Sequence, residues 1–337
     1  MPSEKPSGNS RPPRALLASG LLLTLLACGD LTVDLDPAAK DRLAEFIESD
    51  GGTAPEGVDG DPEPSPEPEP EATPEPDPGG VDLSGRDRLD HLALDAVLDG
   101  FVQEGLVDYP ALAASAEGRL LLDRALALIA DVDPAQLADP PERLAFWLNA
   151  YNALVLHQAL VDVSINPVFS TSDDDFSFFK AQIHAAAGLT LSLDQIEHGI
   201  IRGQQDHPSM VDLDAERRAA IGRHHADLWG GAAPDPRIHV GLNCAATSCP
   251  LLPSFAFRGD RVAAQLDARA ALFVADPARG AGPQGVSSLF DWFAADFSAP
   301  PFGSARGFIE AFRQDTADVA FDRLLPYDWT LNCRGCP

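Results

Sequence analysis

Leu144-Ala145-Phe146-Trp147-Leu148-Asn149-Ala150-Tyr151-Asn152-Ala153, continued by Leu154-Val155-Leu156, decides the architecture. These residues lie within a predicted helix over Pro141–Val161 that is apolar nearly all round, and a helix with no polar face belongs in the middle of a domain. Against that background Glu142, Asn149 and Asn152 recur at helical spacing and form one stripe along one face. A buried amide must be hydrogen-bonded, so the stripe either braces a loop or faces a wet cleft.

The flanking segments supply the rest of the fold. Upstream, Leu89, Leu92, Ala96, Val97 and Phe101 mark an amphipathic helix within Arg86–Gly105, Gly105-Leu106-Val107-Asp108-Tyr109 reads as a turn with a short extended piece, and a helix follows over Ala116–Asp131. Downstream, Gln182–Leu191 predicts a hairpin turning at Gly188. Ser192-Leu193-Asp194-Gln195 matches a capping box, which starts a helix from Leu193 to Arg202 carrying Glu197, His198 and Arg202. Asp206–Pro236 is the least periodic stretch, a polar excursion with His224-His225. Helices are then expected over Arg261–Val274, Val286–Phe297 and Gly307–Phe312, with a short closing strand at Tyr327–Asn332. Few strands among many helices predict an α+β fold, a mostly helical single domain with a small antiparallel sheet.

The chemistry concentrates in Asp235-Pro236-Arg237-Ile238-His239-Val240-Gly241-Leu242-Asn243-Cys244-Ala245-Ala246-Thr247-Ser248-Cys249-Pro250. Alternation of Ile238, Val240 and Leu242 with polar residues reads as a half-buried strand, with Cys244 at its exit. A thiol becomes a nucleophile when a neighbouring cation or imidazole stabilises its anion. Candidate catalytic residues are therefore Cys244, with His198 and Glu197 or His239 as base, and Asn149 or Asn152 to orient the imidazole or donate to an oxyanion. On a strand His239 would face away from Cys244, which favours His198. The expected chemistry is acyl transfer or amide hydrolysis, on a peptide, protein or cell-wall substrate. The competing class is a non-catalytic, disulfide-stabilised envelope binding or scaffold module, with Cys244, Cys249, Cys333 and Cys336 as disulfide candidates open to three pairings. The thiols and imidazoles lack zinc spacing, Cys333 and Cys336 have no following helix for redox work, and no phosphate loop occurs, so neither metal nor cofactor is expected.

Residues 1–27 have the layout of a secretory signal, with Lys5, Arg11 and Arg14 ahead of an apolar run too short to span a bilayer. Leu25-Leu26-Ala27-Cys28 resembles the lipobox of bacterial lipoproteins, which implies an acylated Cys28 as the bond to a lipid bilayer. Gly29, in place of an aspartate, implies sorting to the outer membrane, facing the periplasm or the cell surface. Residues 28–85 form a linker whose middle alternates Pro and Glu from Asp61 to Glu71, an extended polyproline-like arm. At about 3.1 Å per residue its roughly 25 residues would reach on the order of 80 Å. A formal net charge of −28 repels phosphate backbones, which excludes nucleic-acid binding. Residues 86–337 remain as the globular domain.

Several of these segments together resemble the family catalogued as domain of unknown function 547. They are Gly105–Tyr109, Leu144–Ala153, Leu193–Arg202, the Cys244 segment, Asp291-Trp292-Phe293 with Asp296-Phe297, and Tyr327–Trp329 with Leu331-Asn332. The resemblance spans Asp95 to Asn332 and implies no established activity. Similar plant sequences keep a cysteine at Cys244 but can place serine at Cys249, which singles out Cys244. A Cys244 site with these partners would resemble a papain-like or transglutaminase-like thiol enzyme in permuted order.

Overall fold

The computed structural model describes residues 91–137, 139–166 and 168–336. The signal segment, Cys28, the acidic arm and the first residues of the predicted Arg86–Gly105 helix lie outside them. Within the described residues the fold is the expected mostly helical α+β unit.

Helix α4, Pro140–Ile165, is the axis of the fold. It starts at two prolines, where a missing N–H costs nothing, and the Asp139 carboxylate caps it by accepting from the Glu142 amide at 2.9 Å. Phe146, Trp147, Leu148 and Tyr151 are fully buried. Packed against it are α2 (Tyr109–Ala114), α3 (Ala116–Asp131), a π-helix (Gln195–Ile201), α6 (Ala215–Trp229) and α8 (Val262–Ala275). Helix α1 (Leu92–Phe101) covers α3. The remaining helices are α5 (Asp173–Lys180) and the short α7 (Ile238–Gly241), α9 (Leu289–Trp292), α10 (Ala294–Phe297) and α11 (Ala305–Phe312).

The strands form three separate antiparallel pairs: β1 Val102–Gln103 with β2 Leu106–Val107, β3 His184–Ala186 with β4 Leu189–Leu191, and β5 Ala281–Gly282 with β6 Gly285–Val286. The β3–β4 hairpin turns through Ala187 and Gly188, both at positive φ, and docks by amide bonds to the carbonyls of Ile129 and Ala130 at the end of α3.

Four expectations change. Ile238–Gly241 is helix, not strand, and the reason lies in the packing. Ile238 and Leu242 share one face and join the main core, while Val240 points to a second core built from Phe273, Phe290, Phe297 and Phe308. A short helix sandwiched between two apolar clusters places an apolar residue at every second position, which imitates strand alternation. The polar stretch 206–236 contains α6, capped by Asp214 and ended by Gly230 at φ 57°; only Ala220, Ile221 and Leu228 of this helix are buried, so its period is faint. Tyr327–Asn332 is no strand. Its neighbourhood makes single bridges to Val107, Ser170 and Ala246, three different segments, so no ladder forms. The Val286–Phe297 helix is in turn broken at Phe293 into α9 and α10.

Candidate functional site

The asparagine stripe of α4 holds backbone. Asn149 donates to the Phe257 carbonyl at 2.9 Å and accepts from the Phe257 amide at 2.8 Å. Asn152 donates to the Gly241 carbonyl and accepts from the Asn243 amide, both at 2.9 Å. Each amide thus has its oxygen and its nitrogen committed, and neither lines the cleft described below. Asn152 fixes the chain as it leaves α7, and Asn243 continues the clamp by donating to the Pro250 carbonyl at 2.7 Å and accepting from the Ala245 amide at 3.0 Å. Ala245 is held at φ 57°, an uncommon conformation for a residue with a Cβ. This tight loop presents Cys244 half-buried and Cys249 buried.

Cys244 is disulfide-bonded to Cys249, with Cα atoms 6.1 Å apart, and Cys333 to Cys336, at 5.7 Å. In this form Cys244 carries no thiolate, so the expectation of a resident nucleophile is not met by it. The Tyr327 hydroxyl lies 3.3 Å from both sulfurs of the first cystine.

That cystine lines a cleft of about 570 Å³, together with His198, Glu197 and His239. Four of the six candidate catalytic residues therefore meet at one place. His239 reaches it although strand geometry had turned it away, because the helix of α7 redirects it. The π-helix that carries Glu197 and His198 begins at the expected capping box: the Ser192 amide donates to Gln195 Oε1 at 3.0 Å and the Gln195 amide to Ser192 Oγ at 3.1 Å. Wider i→i+5 turns of this kind recur at functional sites.

A continuous hydrogen-bonded string runs behind the cleft. Arg202 Nη1 donates to His198 Nδ1 at 2.6 Å, and Arg202 Nε to Asp296 Oδ2 at 2.6 Å. His239 Nε2 donates to the same Asp296 oxygen at 2.8 Å. Because Nδ1 of His198 accepts, its proton sits on Nε2, which lies 4.0 Å from Asp194. Burial lowers His198 to about 4, and the charge of Arg202 adds to that against the opposing pull of Glu197. Burial also lowers His239 and outweighs its bond to Asp296. Burial would raise Asp296, but the bonds from His239 and Arg202 prevail and hold it at about 2. Asp194 is raised to about 6 by burial and by the nearby Glu197 charge. The string is thus a neutral–anion–cation–neutral series at pH 7.

Aromatic rings form much of the remaining wall. His239 stacks on Phe293 at 4.0 Å, His198 on His207 at 3.9 Å, and Arg202 lies 4.5 Å over Phe293. Trp292, Tyr327 and Trp329 pack mutually at 4.5–5.5 Å, with Trp292 still 46% exposed. Phe176, held at φ 60°, meets Trp329 edge-on at 4.9 Å.

Sequence reasoning did not assign site roles to Asp194, Asp296, Trp292 or Tyr327. The signals were present: Asp194 sits inside the capping box, and the other three lie in the segments that carried the family resemblance, but nothing local ties them to His198 or Cys244. Among comparisons with known proteins, no curated protein and no solved structure matches. Residues 134–274, which hold α4, the π-helix, α7 and the Cys244 loop, match the model of a family described as "Protein of unknown function, DUF547".

Proposed function

We propose that the chain is a bacterial lipoprotein, tethered to the outer membrane through acylated Cys28 on an extended acidic arm, whose globular part is a binding module that takes its ligand in the cleft beside Cys244–Cys249. One observation carries the choice of binding over catalysis: the sulfur expected to attack is bonded to Cys249. The cleft's volume of about 570 Å³ suits a small molecule or the end of a chain, and its wall combines apolar rings with a few ionisable groups, as ligand pockets do.

A second reading is favoured by a different observation. Cys244 is half-buried at the cleft and Cys249 is buried, so an incoming thiol meets Cys244 first, and full reduction would leave its thiol in the same cleft as His198, Glu197 and His239. Acyl transfer would then belong to the reduced form only. Turnover of activated esters and peptide amides by the full chain, with and without a phosphine reductant, separates the two. Binding alone predicts no turnover in either state. Turnover that appears on reduction and vanishes in Cys244→Ser would establish the thiol enzyme instead.

A further inference from the structure

Glu197 is the electrostatic centre of the cleft. Its charge bears on Tyr151, Asp194, Tyr327, His198, His207 and His239. Among the described residues no cation pairs with it. Of the two cations nearby, Arg202 is committed to Asp296 and His198, and Lys180 pairs with Asp175 at 2.8 Å and bears on Asp194. His198 and His239 are neutral at pH 7, as argued above, and burial lowers His207 as well. The site therefore keeps one uncompensated, half-buried carboxylate, with Asp194 as a second acid, inside a protein of net charge −28.

The aromatic wall matches that charge. Trp292, Tyr327 and Trp329 line the same cleft as Glu197 and pack on one another, and an aromatic face attracts a cation through its negative quadrupole, most strongly in tryptophan. A metal ion is a poor fit, because no group of three or more His, Cys, Asp or Glu side chains among the described residues is arranged to hold one. An alkylammonium satisfies both halves of the site, its charge facing the carboxylate and its methyl or methylene groups lying on the rings.

From this combination we infer that the cleft binds small organic cations, with Glu197 as the counter-ion and Trp292, Tyr327 and Trp329 as the aromatic wall. The inference rests on the cleft being a binding site and adds the class of ligand.

Calorimetric titration of the full chain, purified without reductant, tests it with choline and with 3,3-dimethylbutan-1-ol, which has the same shape without the charge. Choline is expected to bind saturably and at least about tenfold more tightly than the alcohol. Glu197→Gln should weaken choline about tenfold and leave the alcohol unchanged, since only the charge is removed. Trp292→Ala, at a position 46% exposed, should also weaken choline. Equal affinity for the two probes would overturn the choice of cations while leaving a binding cleft. Absence of any saturable signal from either would overturn the inference and count against the cleft as a binding site. Unchanged choline affinity in both variants, each folded by circular dichroism, would show that the cation binds elsewhere and overturn it too.

Discussion

His184 shows how a single side chain ties this fold to pH. It is 4% exposed at the start of β3, and its Nε2 has no hydrogen-bond partner among the described residues. Burial lowers its pKa to about 4, with the nearby His157 adding in the same direction. The folded value lies below that of a free imidazole, so the unfolded chain binds the proton more readily. Stability from this group is complete above about 6.5 and is lost as pH falls toward 4. His91, lowered by burial to about 3, extends the same trend, and Asp296, at about 2, contributes stability that is lost only as pH falls from its free value of 3.8 toward 2. Asp194, raised to about 6, works the other way between its free value of 3.8 and that point. The melting temperature should therefore drop between pH 7 and pH 4, and His184→Leu should flatten that drop. An unaltered slope in the variant would show that His184 is not held neutral by burial.

At the scale of elements, α4 acts as a clamp rather than as a carrier of catalytic groups. Its Asn152 joins the last carbonyl of α7 to the amide that leads into Cys244. Asn152→Ala leaves a buried carbonyl and a buried amide unpaired, at about 1–3 kcal/mol for each group. Denaturant unfolding should accordingly show a loss of roughly 2–5 kcal/mol; a loss below about 0.5 kcal/mol, the size of an ordinary surface change, would mean that the loop does not depend on α4. The core helix, the capping box and the β3–β4 hairpin were legible because each is written in local residues: all-round apolarity, Ser192 with Gln195, and Gly188 at a turn. α7 was misread because its apolar alternation answers to two cores at once, a fact of packing that no window of sequence contains. α6 was missed because a helix that buries three residues gives almost no periodic signal.

For the whole molecule, the sequence favoured Cys244 with His198 and Glu197 and turned His239 away, whereas the fold brings all four to one cleft and assigns Asn149 and Asn152 to bracing. The rings of Trp292, Tyr327 and Trp329 that wall the cleft, and Asp296 behind it, come from α9, α10 and the segment around Tyr327, far along the chain, and only tertiary structure joins them to the π-helix. What the cleft can do turns on the state of its sulfur. Peptide mapping of the full chain, alkylated without reductant, measures this directly. The account predicts that Cys244 and Cys249 appear as one linked, unlabelled peptide and take up label only after reduction. An alkylated Cys244 in the unreduced chain would contradict it and return the cleft to thiol chemistry.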